Sequence, residues 1–309
     1  MARRPDRHAV TPTAARTVER LVALDAAHGA TAALPAVRRA LRDFPELSGD
    51  PTPDRRPDVN RVAALAELSE VVGWILFDAG LHRQAHRANT RALTLAGRCG
   101  DRWTERLTLL NHSMLQTAAG DPRGALETAA RVTGPRPLPA RVDSLVLIRR
   151  AHATALLGGR RESRRLISRA RSRFLDGLSR HDPHWAWWID ENELRGHEGW
   201  VLARLGDWDR ALPLLHRAAT APGPSYRHLF GAELLAALAR AGAWTEARDL
   251  IADLAPRAAA IGSVRTTRTL ADAATGLRRG PRVPASLKDA AAHLLECLPA
   301  PVARSDRPA

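Results

Sequence analysis

The chain has 309 residues, 45% of them hydrophobic and 26% charged, with a formal net charge of +14. That apolar content can fill a continuous core, and Gly and Pro at 21 each are too few for a low-complexity chain. No apolar run approaches the ~20 residues a membrane-spanning helix needs, and the N-terminus MARRPDRHAVTPTAAR lacks the apolar stretch of a secretion signal, so a cytoplasmic protein without membrane contact is expected.

Lys288 is the sole lysine among 47 basic residues, so the charge rests on arginine. Beside the abundant alanine this reads as coding bias more than as selection for phosphate contact. Cys99 and Cys297 fit no zinc or redox spacing and are expected to be two buried thiols.

In chain order, residues 1–12 are expected to be disordered. Thr11 and Pro12 read as a cap followed by proline at the first helical position. Val18, Leu21, Val22 and Asp25 then recur at helical steps up to Gly29, and Leu34 to Phe44 repeats the pattern with Val37 and Leu41, which makes an N-terminal helical pair over 13–44. Residues 45–61, carrying PELSGDPTPDRRPDVN, are too rich in proline and charge for a helix and read as a linker loop.

From 62 to 257 small residues recur in step. Helices approach closely only where a small side chain lets the backbones meet. Five positions after Gly80, Gly120, Gly158, Gly206 and Gly242 stand Ala85, Ala125, Ser163, Ala211 and Ala247. Seven positions before them stand Gly73, Ser113, Ala151, Gly199 and Leu235; twelve after stand Ala92, Val132, Ala170, Ala218 and Leu254. This spacing resembles the tetratricopeptide repeat, each glycine ending the first helix of a pair. Breaks at 134–139, 180–185 and 220–225 fall between pairs, and 258–298 reads as C-terminal capping helices before a disordered tail at 299–309. The expected fold is therefore all-α: a solenoid of about five tetratricopeptide-like hairpins between an N-terminal pair and capping helices.

In such an array the residues thirteen, ten, six and three positions before each turn glycine line the concave face. They include Glu67, Glu70, Trp74, Phe77, Met114, His152, Glu193 and Trp200. The groove is expected to be apolar with a few carboxylates, and the outside rich in arginine, which suits a peptide helix or an apolar small ligand, cationic or not; the alternative is that the superhelix closes and these residues are core. The most unusual stretch, 181–208, holds five of the eight tryptophans; Trp185 and Trp188 join the candidate binding residues. Packing in the longest gap between units is the preferred reading of Trp185, Trp187, Trp188, Trp200 and Trp208 over ligand stacking, and Trp208 and Trp244, two residues after turn glycines, are expected to be structural.

A metal site there would draw on His181, His184, Asp190, Glu193 and His197, but the spacing is weak and no metal or other cofactor is expected. Arg161, Arg165, Arg169 and Arg173 form a stripe whose alternative readings are nucleic-acid binding and a solvated face, with Asp182, Asp190, Glu191 and Glu193 as acidic neighbours. The sequence holds no glycine-rich phosphate loop, Gly-x-Ser-x-Gly elbow or His-Glu-x-x-His, so a binding protein and not an enzyme is expected; a metal-dependent enzyme at 181–197 is the remaining alternative.

The segments RTVERLVALDAAHG, LAELSEVVGWILFDAG, DPHWAWWIDENEL and LGDWDRALPLL resemble the C-terminal part of actinobacterial, Streptomyces-type transcriptional regulators, in which a helix-turn-helix domain of the xenobiotic-response-element type precedes a tetratricopeptide-like array. The resemblance runs from about Thr13 to Pro299 and rests most on Asp182, Pro183, Trp185, Trp187, Trp188, Asp190, Glu193 and Leu194. It implies a regulatory role with a protein, peptide or small-molecule effector as partner, a related full-length regulator among the candidates. The family's DNA-binding domain would precede Thr13, where twelve residues stand, so direct promoter recognition is not expected.

Overall fold

A computed structural model of the chain describes residues 13–49 and 58–300. The described residues form α-helices α1 (Ala14–His28), α2 (Ala30–Asp43), α3 (Val59–Asp78), α4 (His82–Cys99), α5 (Arg102–Ala118), α6 (Pro122–Ala130), α7 (Ala140–Leu156), α8 (Arg160–Leu175), α9 (Glu191–Arg204), α10 (Trp208–Thr220), α11 (His228–Ala241), α12 (Trp244–Leu254), α13 (Val264–Arg279) and α14 (Ala285–Cys297), with no strand among them. Short 3-10 turns at Pro45–Leu47, His184–Trp188, Ser225–Arg227 and Ala255–Ala260 fill the longer connections.

Each hairpin bend is built the same way. Gly80, Gly120, Gly158, Gly206 and Gly242 have φ of 78°, 84°, 80°, 73° and 76°, the left-handed region where a β-carbon would be strained. The amide after each glycine then donates to the carbonyl five residues before that glycine's successor: Leu81 to Leu76 at 2.8 Å, Asp121 to Gln116 at 2.9 Å, Gly159 to Thr154 at 3.0 Å, Asp207 to Leu202 at 3.0 Å and Ala243 to Leu238 at 3.1 Å. This six-to-one bond caps the orphan carbonyls of the first helix and aims the second back along it.

The recurring small residues lie where the helices touch. Ala85, Ala125, Ser163, Ala211 and Ala247 have no accessible surface. A β-carbon on Gly199 would stand 3.0 Å from the Leu215 nitrogen and 3.1 Å from the Ala211 carbonyl oxygen, so α9 and α10 meet backbone to backbone. Two serines bond across such seams, Ser113 donating to the Ala125 carbonyl at 2.8 Å and Ser144 to that of Ala170 at 2.9 Å.

The first and second helices of each pair differ in burial. Outer helices such as α8 bury one stripe, Ser163, Leu166, Ile167 and Ala170, whereas inner α9 buries residues all round its barrel, from Glu193 to Ala203. The inner helices therefore face something on both sides. That something is the opposite wall, because the array closes on itself: α1 packs on α3 and on the 3-10 turn at Ser225–Arg227, and α13 packs on α11.

The closure is polar and close. Gly29 and Gly262 cross with so little clearance that a β-carbon on Gly262 would lie 2.0 Å from the His28 carbonyl oxygen. Thr31 donates its amide to the Gly262 carbonyl at 2.9 Å, Ser225 its hydroxyl to the Asp25 carbonyl at 2.8 Å, and Arg265 its Nε to Asp78 Oδ1 at 3.0 Å.

Several local expectations are corrected. The expected Thr11–Pro12 cap and the disordered 1–12 lie outside the described residues, as does 301–309; α1 is capped by the Thr13 hydroxyl, which accepts from the Arg16 amide. The second helix starts at Ala30 and carries Pro35 within it, earlier than the expected start at Leu34. The linker is shorter than 45–61: Leu47 is buried, and Asp58 caps α3 by accepting from Asn60 and Arg61, while 50–57 lies outside the described residues. Cys99 and Cys297 are free and half-buried instead of buried, because each sits at the last turn of its helix.

Candidate ligand cavity

The inner helices enclose two adjoining cavities of ≈ 190 Å³ each, which share Met114, Arg149, Leu229 and Arg265 in their walls. Each is far larger than one water requires. Glu67, Glu70, Trp74, Met114, Trp185, Trp188 and Glu193 line the first. Phe77, Met114, His152 and Trp200 line the second. The structure thus places these ten side chains around two adjoining spaces, while other positions of the same offset rule, such as Leu110, Leu145 and Ala232, line neither.

The lining is more polar than expected. Nine positions before four of the five turn glycines stand Asn111, Arg149, His197 and Glu233, with the apolar Val71 before Gly80, all facing a cavity, so the groove carries arginine inside as well as out. That polar ladder was visible as a mid-helix polar residue at constant offset. Asp25, Tyr226 and Arg265 had no such signal, since only closure of the array brings them in.

In the first cavity, Asn111 Nδ2 donates to Glu70 Oε1 at 2.6 Å, and Trp74 Nε1 donates to Asp25 Oδ2 at 3.0 Å. Burial pushes the Glu70 carboxyl up to about 7 against the bond from Asn111. Burial, with the nearby Asp78 charge, raises Asp25 to about 7 as well. His197 sits between Glu193, 3.2 Å from Nε2, and His152, whose Nε2 is 3.0 Å from His197 Nδ1. Burial depresses both imidazoles, so they are neutral near pH 7. Several buried atoms around the first cavity have no hydrogen-bond partner in the protein: Asp25 Oδ1, Arg149 Nε, Trp185 Nε1 and Tyr226 Oη. Buried polar groups normally find a partner, and each failure costs about 1–3 kcal/mol.

Arg265 is the hinge between the two cavities. Besides Asp78 it reaches Met114 Sδ at 3.1 Å and lies over the rings of Trp74 and Phe77, 5.3 and 5.0 Å from their centroids.

The tryptophan-rich segment divides between packing and exposure. Trp185 is buried with Leu107 and Val142, and Trp188 packs partly against the same cluster, whereas Trp187 is 59% exposed and fills no gap. Trp208 and Trp244 lie against their turn glycines and pack on the C-terminal core. His184 reaches across the array, its Nε2 3.0 Å from Glu67 Oε1 of α3.

Of the residues considered for a metal, Glu193 and His197 stay together at 3.2 Å and the other three go elsewhere. His184 goes to Glu67, His181 to its neighbours Ser179 and Arg180, and Asp190 caps α9 at the Glu193 amide and pairs with Arg227 at 2.5 Å. Among the described residues no three His, Cys, Asp or Glu gather as a metal would need.

The arginine stripe lies on the outer face of α8, opposite its buried residues. Its acidic partners are not the ones expected from 182–193: Arg165 pairs with Glu162 at 2.8 Å, and Arg173 with Asp143 at 2.8 Å and with Asp176. Neighbours within one hairpin reach these guanidiniums before a later loop can.

No family model matches this sequence, and no curated protein matches it. Among solved structures, a Rap protein in crystal complex with competence and sporulation factor superimposes with a TM-score of 0.51 at 13% sequence identity, over 91% of this chain and 74% of that one. At that identity the likeness speaks for the fold alone. No described helix is long and apolar enough to cross a membrane. By its helix pairs, its turn glycines and this overlay, the chain is an all-α solenoid of the tetratricopeptide-like kind.

Proposed function

We propose that this chain is a non-catalytic regulatory protein that takes up a peptide or small effector inside its closed array. The observation that carries the reading is the interior cavity, walled by Trp74, Trp185 and Trp188 and by buried polar atoms without protein partners. Ring faces supply apolar contact area, and unmet donors and acceptors supply a reason for a ligand to be preferred over an empty space. The Rap protein that shares this fold is crystallised with competence and sporulation factor, which supports the same class of role here. The resemblance of several segments to the sensing part of transcriptional regulators supports placing the protein in gene regulation, with a related full-length regulator as a candidate partner. The chemistry points to interior binding and not to the outer arginine stripe, where two of the four guanidiniums are already paired.

The test is affinity selection from a random library of short peptides, followed by thermal shift with the retained peptides. Retention that disappears in Trp74→Ala and Glu193→Gln is expected. A library and a metabolite panel that leave the melting temperature unmoved would overturn the proposal.

A further inference from the structure

The second cavity differs from the first in the sign of what it lacks. Buried carboxyls such as Asp25 and Glu70 can relieve their burial by taking a proton near neutral pH, so they do not demand a counter-charge. A guanidinium has no such escape. Arg149 is 3% exposed, forms no ion pair among the described residues and has its Nε without a partner; burial lowers it to about 9, so it stays cationic at neutral pH. Arg204 stacks over Trp200, 4.7 Å from its centroid, likewise without an ion pair and with Nη1 unpartnered. Both line the second cavity with Arg265 and the exposed Arg268.

Asp78 already matches Arg265. Arg149 Nη1 stands 3.4 Å from His197 Nε2 and feels Glu193 only beyond ion-pair distance, and burial pushes Glu233 up to about 7, so Glu233 and Asp272 only partly compensate Arg149, Arg204 and Arg268 on this cavity. Phe77, Met114, Trp200 and Leu229 provide apolar wall beside it.

We propose that the second cavity is a subsite for a single carboxylate carried on an apolar body, held by Arg149, Arg204 and Arg268 with Trp200 alongside. A single carboxylate fits two buried guanidiniums that lack an ion pair, whereas a phosphate dianion would meet Asp272 and the ionised form of Glu233. In a peptide ligand this subsite takes the terminal or a side-chain carboxylate while the apolar remainder extends past Met114 and Arg265 toward Trp74. The inference rests on interior ligand binding as its setting, but the subsite can be probed without a peptide.

The probe is hippurate, compared with its neutral primary amide and with inorganic phosphate, by calorimetric titration of the whole chain. Hippurate binding that is at least tenfold tighter than that of the amide or of phosphate is expected, with a tenfold or greater loss in Arg204→Gln. Because Arg204 is largely buried, Arg268→Gln on the surface serves as the second variant, with an expected loss of about threefold and an unchanged circular dichroism spectrum. Equal binding of acid and amide, no binding of either, or tighter binding of phosphate overturns the carboxylate subsite. Peptides retained equally as free acids and as amides, with hippurate inert, would sink the subsite and leave interior peptide binding standing; hippurate bound with no peptide retained would do the reverse.

Discussion

Removing the charge of Arg265 tests whether the array is held shut by the pair it forms with Asp78. Asp78 is 1% exposed and the Arg265 side chain 13%, and their 3.0 Å bond joins α3 to α13, 187 residues apart. Deleting one member of a buried pair strands the other charge and costs about 3–5 kcal/mol, while replacing both with apolar residues is often close to neutral. Arg265→Met should therefore lower the melting temperature by roughly 5–8 °C for a chain of this size. Asp78→Leu with Arg265→Met should recover most of that loss, since Trp74, Phe77 and Met114 offer the new side chains apolar contacts. Urea melts followed by tryptophan fluorescence give the energies, and hydrogen exchange read by peptide mass gives the location: faster exchange in α1, α3 and α13 ahead of α7. A single variant that melts with wild type, with exchange in α3 and α13 unaltered, would refute the argument that this pair closes the array.

Glu70→Gln carries a pH signature. Its carboxyl is raised to about 7 from an ordinary 4.5, so the folded state favours the protonated form; stability from this group is complete below the unfolded value and is lost as pH rises through about 7. The variant should match wild type at pH 5 and exceed it at pH 8 by about 1–3 kcal/mol, and denaturant midpoints at the two pH values check this. Gly262→Ala places a β-carbon against the His28 carbonyl, so the ends of the array should part; a larger radius of gyration by X-ray scattering is expected, and an unchanged one would count against the crossing. Gly199→Ala pushes α9 from α10 at the Leu215 nitrogen and should cost about 1–3 kcal/mol, read as a lower urea midpoint. Changing Arg161, Arg165 and Arg169 to Glu should leave ligand binding within twofold, because these side chains sit on the outer face of α8.

The hairpins were legible because their cause is local. A glycine at each bend and an alanine five residues on are needed by the bend and the helix seam themselves, so they recur at fixed offsets. The interior position of Glu67, Trp74, Met114, His152 and Trp200 followed from the same register. What escaped was the consequence of closure. Asp25 reads as one polar residue in an amphipathic helix, and Arg265 as one more arginine in an arginine-rich chain; only contact between residues some two hundred positions apart turns them into cavity walls. The acidic partners of the α8 stripe were misplaced for the opposite reason: nearby Glu162 and Asp143 were closer in space than the denser acidic run further on.

The crossing of Gly29 over Gly262 also bears on how such a chain can change over generations. An open row of hairpins lengthens by copying one unit, each new copy touching only its neighbours. Here an inserted hairpin would carry α13 away from α3 and separate Asp78 from Arg265, so growth by duplication is barred unless the whole circuit is rebuilt. The same junction joins segments distant along the chain, whose encounter bears a large loop-closure entropy, so sealing is expected to be the slow, late event of folding.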